Sequence, residues 1–460
     1  MRIVERELMV RAPSASSPLA EVRRAVEERL PPGSVPVRFA VAASDDSGWQ
    51  CEVGVIEDAE PSRRAAVRSI FDLRRRDAED AAAFTVVLVV PTGVGCEIGG
   101  HAGDAMPVAT LLASVSDTLV THPNVVNGSD IMELPANAHY VEGSVVARLL
   151  AGTAGLRPVR ANRVLAVVEQ HEMQRYRDAA VNSVSAARVA FGLQVPEAVA
   201  LDPPVMVRSR FTSSGRAVGE ISEMGGLLDV LDAGRGSYDA VAISTRIEVP
   251  FEYHLDYYTA RGAMVNPWGG AEAILTHAVS SLYDVPAAHA PMLESKAVED
   301  LQLGVVDPRM AAEAISTAFY VCVLKGLQRS PRIVPLDQPA PRGVIGAEQV
   351  SCLVVPDGAL GLPTLAALEQ GIPVVAVREN RNVLRNDLTR LPWQPGQLHV
   401  VENYWEAAAV VASLRIGIDP AVVRRPIADT RLVGLATEER HLAPVAWTPS
   451  SDGGRPPGAP

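Results

Sequence analysis

Runs of apolar residues set the first expectations. Ile3–Val10, Val35–Ala43 and Trp49–Ile56 read as strands, the last two joined by a turn over 44–48. Leu19, Val22, Val26 and Leu30 recur at helical spacing, and the helix they predict stops at Pro31-Pro32-Gly33. Val67, Ile70 and Leu73 predict an amphipathic helix over Arg63–Arg76, with Arg74, Arg75 and Arg76 on its solvated face. Further on, strands (Thr85–Val90, Arg163–Val168, Ala198–Leu201, Val205–Val207, Ala240–Ile243) alternate with predicted helices (Pro107–Leu119, Val141–Leu150, Met173–Phe191, Gly219–Leu231, Gly270–Tyr283, Pro308–Leu327). Such alternation implies βαβ units and a largely parallel sheet. The motif Val-Val-Pro-x-Gly ends two strands, at Val89–Gly93 and Val354–Gly358. This echo suggests two Rossmann-like lobes facing one cleft. The expected division is a small α+β unit (1–80), a central α/β domain (81–345), a C-terminal Rossmann-like segment (346–445) and a disordered tail (446–460).

Composition narrows the chemistry. The chain has 460 residues and a net charge of -12, which argues against a nucleic-acid partner. Lys296 and Lys325 are the only lysines, so there is no Gly-Lys-Ser/Thr phosphate loop and few candidates for a Schiff base. Cys51, Cys96, Cys322 and Cys352 lack metal-like spacing, and reduced thiols in a cytoplasmic protein are expected. The N-terminus reads as having no signal peptide, and no apolar run suffices for a membrane span.

The candidate chemistry centres on the loop after Pro91. Gly93, Gly95, Gly99 and Gly100 would let backbone N–H groups approach a ligand, and a helix follows them. The spacing misses a dinucleotide fingerprint by one residue. Within the loop, His101 and Asp104 are candidates for an acid–base pair and Cys96 for a nucleophile. His122, Asn124 and Asn127 lie on a polar loop, and Glu142 is a candidate buried carboxylate. Arg246 is a candidate partner for substrate charge. Glu248, Glu252, His254 and Asp256 could bind a divalent metal, but their spacing is not diagnostic, and the stretch reads first as an exposed charged loop. Asn266, Gly269 and Gly270 form a turn before a helix, a second candidate anion site. Asp357, Gly358 and Thr364 belong to the C-terminal bend. His277 inside a helix and His289 in a turn read as structural. Glu369, Gly371 and Pro373 loosely resemble the donor-sugar region of two-lobed glycosyltransferases and sugar epimerases. No metal ligand is assigned, and both the metal and the cofactor stay open.

The strings 91–104, Thr121–Asn127, Tyr140–Gly143, Asn266–Gly270 and Pro356–Thr364 together resemble an uncharacterised family, domain of unknown function 3326, over roughly residues 80–415. The resemblance brings no reaction with it. The residue types favour an enzyme with acid–base chemistry (lyase, isomerase or hydrolase) acting on a small anionic metabolite, with homo-oligomers possible. The alternatives are a nucleotide-sugar or other group-transfer enzyme, and a non-catalytic ligand-binding protein.

Overall fold

A computed structural model describes residues 1–13, 17–195 and 197–430, so the tail expected over 446–460 lies outside the described residues. The protein is a mixed α/β structure built on three larger sheets and one strand pair.

The N-terminal sheet is mainly antiparallel. Its order is Met206–Phe211, Ala217–Ser222, Arg2–Val10, Gly48–Glu57, Val35–Asp45 and Leu360–Gly361. The three strands read at the N-terminus are thus present, but residues from 206–222 and 360–361 complete their sheet. Val41, Val53 and Val55 face helix Pro18–Glu27 and the larger core, where Leu19, Val22 and Val26 are buried.

The six-stranded parallel sheet holds Leu398–Val401, Val374–Val377, Val350–Pro356, Thr85–Leu88, Thr118–Thr121 and Ala138–Tyr140, in that order. Counted along the chain, the order across the sheet is sixth, fifth, fourth, first, second, third. Direction therefore reverses between Thr85–Leu88 and Val350–Pro356, which pair through Val354 and Leu88. These are the two strands whose ends echo each other. The expectation that they head separate lobes is corrected: they lie side by side in one sheet, across the boundary drawn at 345/346. Both are apolar on both faces, as central parallel strands must be.

Between the third and fourth strands of this sheet the chain builds a second parallel sheet, ordered Ala287–Met292, Ala240–Arg246, Val164–Glu169, Ala198–Leu201. Helices Gln174–Phe191 and Phe319–Gln328 pack together beside it. The strands Ala154–Arg157 and Arg332–Pro335 form a small antiparallel pair.

Several predicted elements are revised. The helix expected to Arg76 stops at Ala66, because Val67 is already extended. Arg74 and Arg76 are not a solvated face: they donate to the carbonyls of Gly152, Gln370 and Val350, pinning a loop to the parallel sheet. The helix expected to Leu119 ends at Ser114, and Thr118–Thr121 is a strand, consistent with its β-branched composition. Ala217–Ser222 is a strand and the helix there begins at Gly225. The predicted helix 308–327 breaks near 315–318, with a bend of 93° between its two parts. Ser316 marks the break, its Oγ accepting from the Ala318 N–H in competition with helix hydrogen bonds. The charged loop expected from Arg246 contains helix Phe251–Thr259, and His289 sits on a strand rather than in a turn.

Candidate functional site

A cavity of about 900 Å³ lies where the three sheets meet. The carboxyl ends of four neighbouring parallel strands supply one wall: Pro91 and Thr92 follow the first, His122 and Asn124 the second, Glu142 and Ser144 the third, and Ala359 and Thr364 the fourth. Open parallel sheets place ligands at this edge and at the reversal of strand order. Val37–Ala40 of the antiparallel sheet, helix Gly269–Tyr283 and the end of strand Ala287–Met292 close the other sides.

The sharpest chemistry is a carboxylate–imidazole dyad. Glu142 is the N-cap of helix Gly143–Leu150, and its Oε2 accepts from the Ser144 N–H at 2.9 Å and the Val145 N–H at 3.3 Å. The Ser144 hydroxyl donates to the same oxygen. The other oxygen, Oε1, bonds His277 Nδ1 and accepts from Thr276 Oγ1 at 3.3 Å. Burial alone would raise the Glu142 pKa, yet His277, Ser144 and Arg148 outweigh it and hold the carboxyl below its ordinary value. The carboxylate is thus ionised and fixed, and it orients the imidazole as the third group of a catalytic triad orients its base. His277 Nε2, the nitrogen left over, belongs to a side chain on the cavity wall.

Two more histidine–glutamate pairs border the cavity. His289 has Nε2 3.0 Å from Thr245 Oγ1 and Nδ1 3.2 Å from Glu272 Oε2. His254 Nε2 is 3.2 Å from Glu294 Oε1, close enough for an ionic contact but not aligned as a hydrogen bond. His122 accepts the Val90 N–H through Nε2 at 3.1 Å, and burial lowers its pKa to about 4, with Glu142 opposing. It is therefore a neutral wall residue that braces the first strand's end. Arg38 also lines the cavity, but it donates to the carbonyls of Thr92 and Gly270 at 3.0 and 3.3 Å.

The other sequence candidates separate clearly. Asn124 joins the strand ends through the carbonyls of Val90 and Gly99, and Asn127 donates to the Tyr140 hydroxyl; both border the cavity, as do Asn266, Gly269 and Thr364. His101, Asp104 and Cys96 lie behind the loop and are not on the cavity wall. His101 Nδ1 is 2.6 Å from the Tyr257 hydroxyl, and burial, helped by Arg309, lowers its pKa to about 4. Asp104 accepts the Gly99 N–H at 2.8 Å, while burial raises its pKa to about 7. These two residues do not form the expected acid–base pair; each bonds a different partner. Burial pushes the Cys96 thiol far up, opposite to what a nucleophile needs.

The glycines serve packing first. A Cβ on Gly93 would stand 2.3 Å from the Ala217 carbonyl oxygen, and one on Gly270 would stand 1.9 Å from the same atom. One backbone strand thus presses on both turns. Gly95 packs on Val265, Gly99 on Val90 and Gly100 on the Cys96 carbonyl. Arg246 is corrected as a holder of substrate charge: it is bound to buried Glu169 at 2.6 Å, away from the cavity. Asp357 accepts the Gly358 N–H at 3.0 Å and burial raises its pKa; neither residue borders the cavity. Glu369, the residue of the sugar-donor resemblance, accepts from the Leu19 N–H and from Arg75 at 2.7 and 2.8 Å, which ties helix Pro18–Glu27 down.

Sequence reasoning set aside His277 and His289, and did not single out Glu272, Arg38 or Glu313. One signal was available. Helix Gly269–Tyr283 is buried nearly all round, yet it carries Glu272 and Thr276 four apart, with His277 beside them. Ionisable residues on one face of an otherwise apolar helix need partners, and those partners mark a site.

Residues 85–424 match the family described as "Protein of unknown function (DUF3326)", and the chain belongs to that family. It is also 36% identical over 342 residues, 74% of this chain and 93% of the relative, to a Synechococcus protein named an uncharacterized lipoprotein.

Proposed function

We propose that this protein is an enzyme that moves protons on a small metabolite bound in the central cavity, as a lyase, isomerase or hydrolase. The observation that carries this reading is the Glu142–His277 dyad, an imidazole of the cavity wall whose Nδ1 is held by an ionised carboxylate. An imidazole oriented in this way can serve as a general base. His277 takes the proton, and Glu142, kept ionised by His277, Ser144 and Arg148, stabilises the imidazolium. Arg38 is the wall residue to which we assign an anionic group of the substrate, since each of its terminal nitrogens has a further N–H beyond the bonds named above.

The strand order of the six-stranded sheet supports a Rossmann-like reading, with the second parallel sheet as the other lobe. The site then occupies the place of reversed strand order, and four strand ends contribute to it. A nucleotide-sugar reading is less favoured because Glu369 is spent on the N-terminal helix. Four buried free thiols fit a cytoplasmic protein, while the relative's name favours a lipid-anchored one; fractionation of the native protein separates the two.

The test is solvent exchange. The protein is incubated in D2O with a panel of small carboxylic and hydroxy acids, and deuterium uptake is followed by mass spectrometry. Uptake by some panel member that disappears in His277→Asn supports the reading. Equal uptake by wild type and His277→Asn overturns it.

A further inference from the structure

A lyase or isomerase removes a proton at one atom and delivers one at another, so a single base leaves the reaction half described. The cavity holds a second buried carboxyl, remote in sequence from the dyad. Glu313 is on the cavity wall, and its Oε1 accepts the Ala102 N–H of the glycine-rich loop at 2.6 Å. The Tyr257 hydroxyl lies beside it. The Asn266 amide spans the pair, 3.2 Å from the Tyr257 oxygen and 3.4 Å from Glu313 Oε1. On its other side the Tyr257 hydroxyl meets His101 Nδ1 at 2.6 Å. Three exchangeable groups therefore run in line from the cavity wall to the loop.

We propose that Glu313 is the second proton-exchanging group of the site, and that Tyr257 and His101 form the route by which its proton is replaced. The proposal rests on the reading of the cavity given above and narrows it to lyase or isomerase chemistry on a carbon acid, a compound whose C–H is acidified by a neighbouring carbonyl or carboxylate. His277 Nε2 takes the C–H proton, and the electron pair left behind forms a C=C bond. In an elimination the C–O bond breaks and Glu313 gives its O–H proton to the departing oxygen; in an isomerisation the π pair of a C=C bond already present takes that proton at the far carbon; in both, His277 then gives its proton to water. Tyr257 then passes its hydroxyl proton to Glu313 and receives one from His101 Nδ1, and water refills His101 at Nε2. An imidazole and a phenol can each both give and take a proton, as this route needs.

The surroundings fit a carboxyl that carries a proton. Burial is the main influence and raises the Glu313 pKa to about 7, opposed by the Ala102 N–H and Tyr257 and reinforced by Asp104 and Glu272. Tyr258, on the same helix as Tyr257, also lines the cavity.

Infrared spectra of the full chain between about pH 5 and pH 9 test the proposal, together with 15N spectra of labelled histidine. The expected result is a protonated-carboxyl carbonyl band that is missing in Glu313→Gln. His101 should change its ring-nitrogen shifts in step with that band, and the coupling should be lost in Tyr257→Phe while the band stays. A band unchanged in Glu313→Gln, or a His101 signal indifferent to both substitutions, overturns the proposal. If Glu313→Gln fails to fold, Tyr257→Phe supplies the deciding His101 readout. No substrate is needed, so failure here leaves the dyad untouched, and a fully active His277→Asn would sink the dyad without touching these spectra.

Discussion

The glycine-rich loop and the junction of helices Gly143–Leu150 and Gly269–Tyr283 border the same cavity, yet they do different work. The loop is conspicuous in sequence, and most of its unusual residues satisfy one another: Asp104 holds Gly99, Gly93 yields space to Ala217, and Cys96 is sealed. The helical junction is inconspicuous, and it supplies an oriented imidazole. Unusual composition marks where a backbone is difficult to fold. Reactive groups are better sought where an ionisable side chain interrupts an apolar helix.

The largest expected effect tests the helical side. His277→Asn should lower turnover by roughly 10²- to 10⁴-fold, the usual worth of a general base, with an unchanged circular dichroism spectrum. Glu142→Gln should lower it comparably and also lower Tm, since the same carboxylate caps a helix. A full-activity Glu142→Gln would reduce the dyad to a structural contact. By contrast, Cys96→Ser should leave turnover within about twofold, because a buried neutral thiol has no part in the proton path.

A second effect separates the two regions by pH. Folded Glu313 keeps its proton to about 7, whereas the ordinary value is 4.5. Between those values the folded state binds more protons than the unfolded chain, so this residue contributes stability at low pH that is lost as pH rises. The amount is about 3 kcal/mol across the window. His101 and His122 act oppositely, since their folded values near 4 lie below 6.5 and their contribution is lost as pH falls. The difference in unfolding free energy between wild type and Glu313→Gln isolates the first term. It should shift in favour of the variant by about that amount from pH 4.5 to pH 7.5; a flat difference would contradict the buried proton.

Smaller effects test the loop and the discarded candidates. Gly270→Ala should cost about 1–3 kcal/mol, because the new methyl meets a backbone carbonyl that cannot rotate away. Arg246→Ala should cost a similar amount, about 2–3 kcal/mol, by stranding buried Glu169, and should leave substrate affinity unchanged. A large rise in KM would restore Arg246 to the site. Chemical denaturation and steady-state kinetics give both answers.

Much of the architecture was legible because period and punctuation are local properties. The N-terminal strands, the 174–191 and 269–283 helices and both Val-Val-Pro-x-Gly strand ends follow from short windows of sequence. The misread elements share a cause. Thr118–Thr121 became a strand between Thr85–Leu88 and Ala138–Tyr140, and Ala217–Ser222 one between its hairpin partner Met206–Phe211 and the remote strand Arg2–Val10, so pairing overrode the helical spacing of both. Of the residues on the cavity wall, Glu142, His122, Asn124, Asn127, Asn266, Gly269 and Thr364 were already candidates in the sequence, while His277 read as structural because a lone helical histidine has no local partner. Its carboxylate lies 135 positions earlier in the chain.

The insertion between the third and fourth strands of the six-stranded sheet has a kinetic consequence. Thr85 bonds Ser351, 266 positions away, so the sheet's central seam cannot close until most of the polypeptide has left the ribosome. Pairings of such high contact order are slow to form. The apolar faces of Thr85–Leu88 must therefore wait, exposed or chaperoned, while 260-odd residues are synthesised, and truncation anywhere before Val350 should yield aggregates rather than a smaller folded protein.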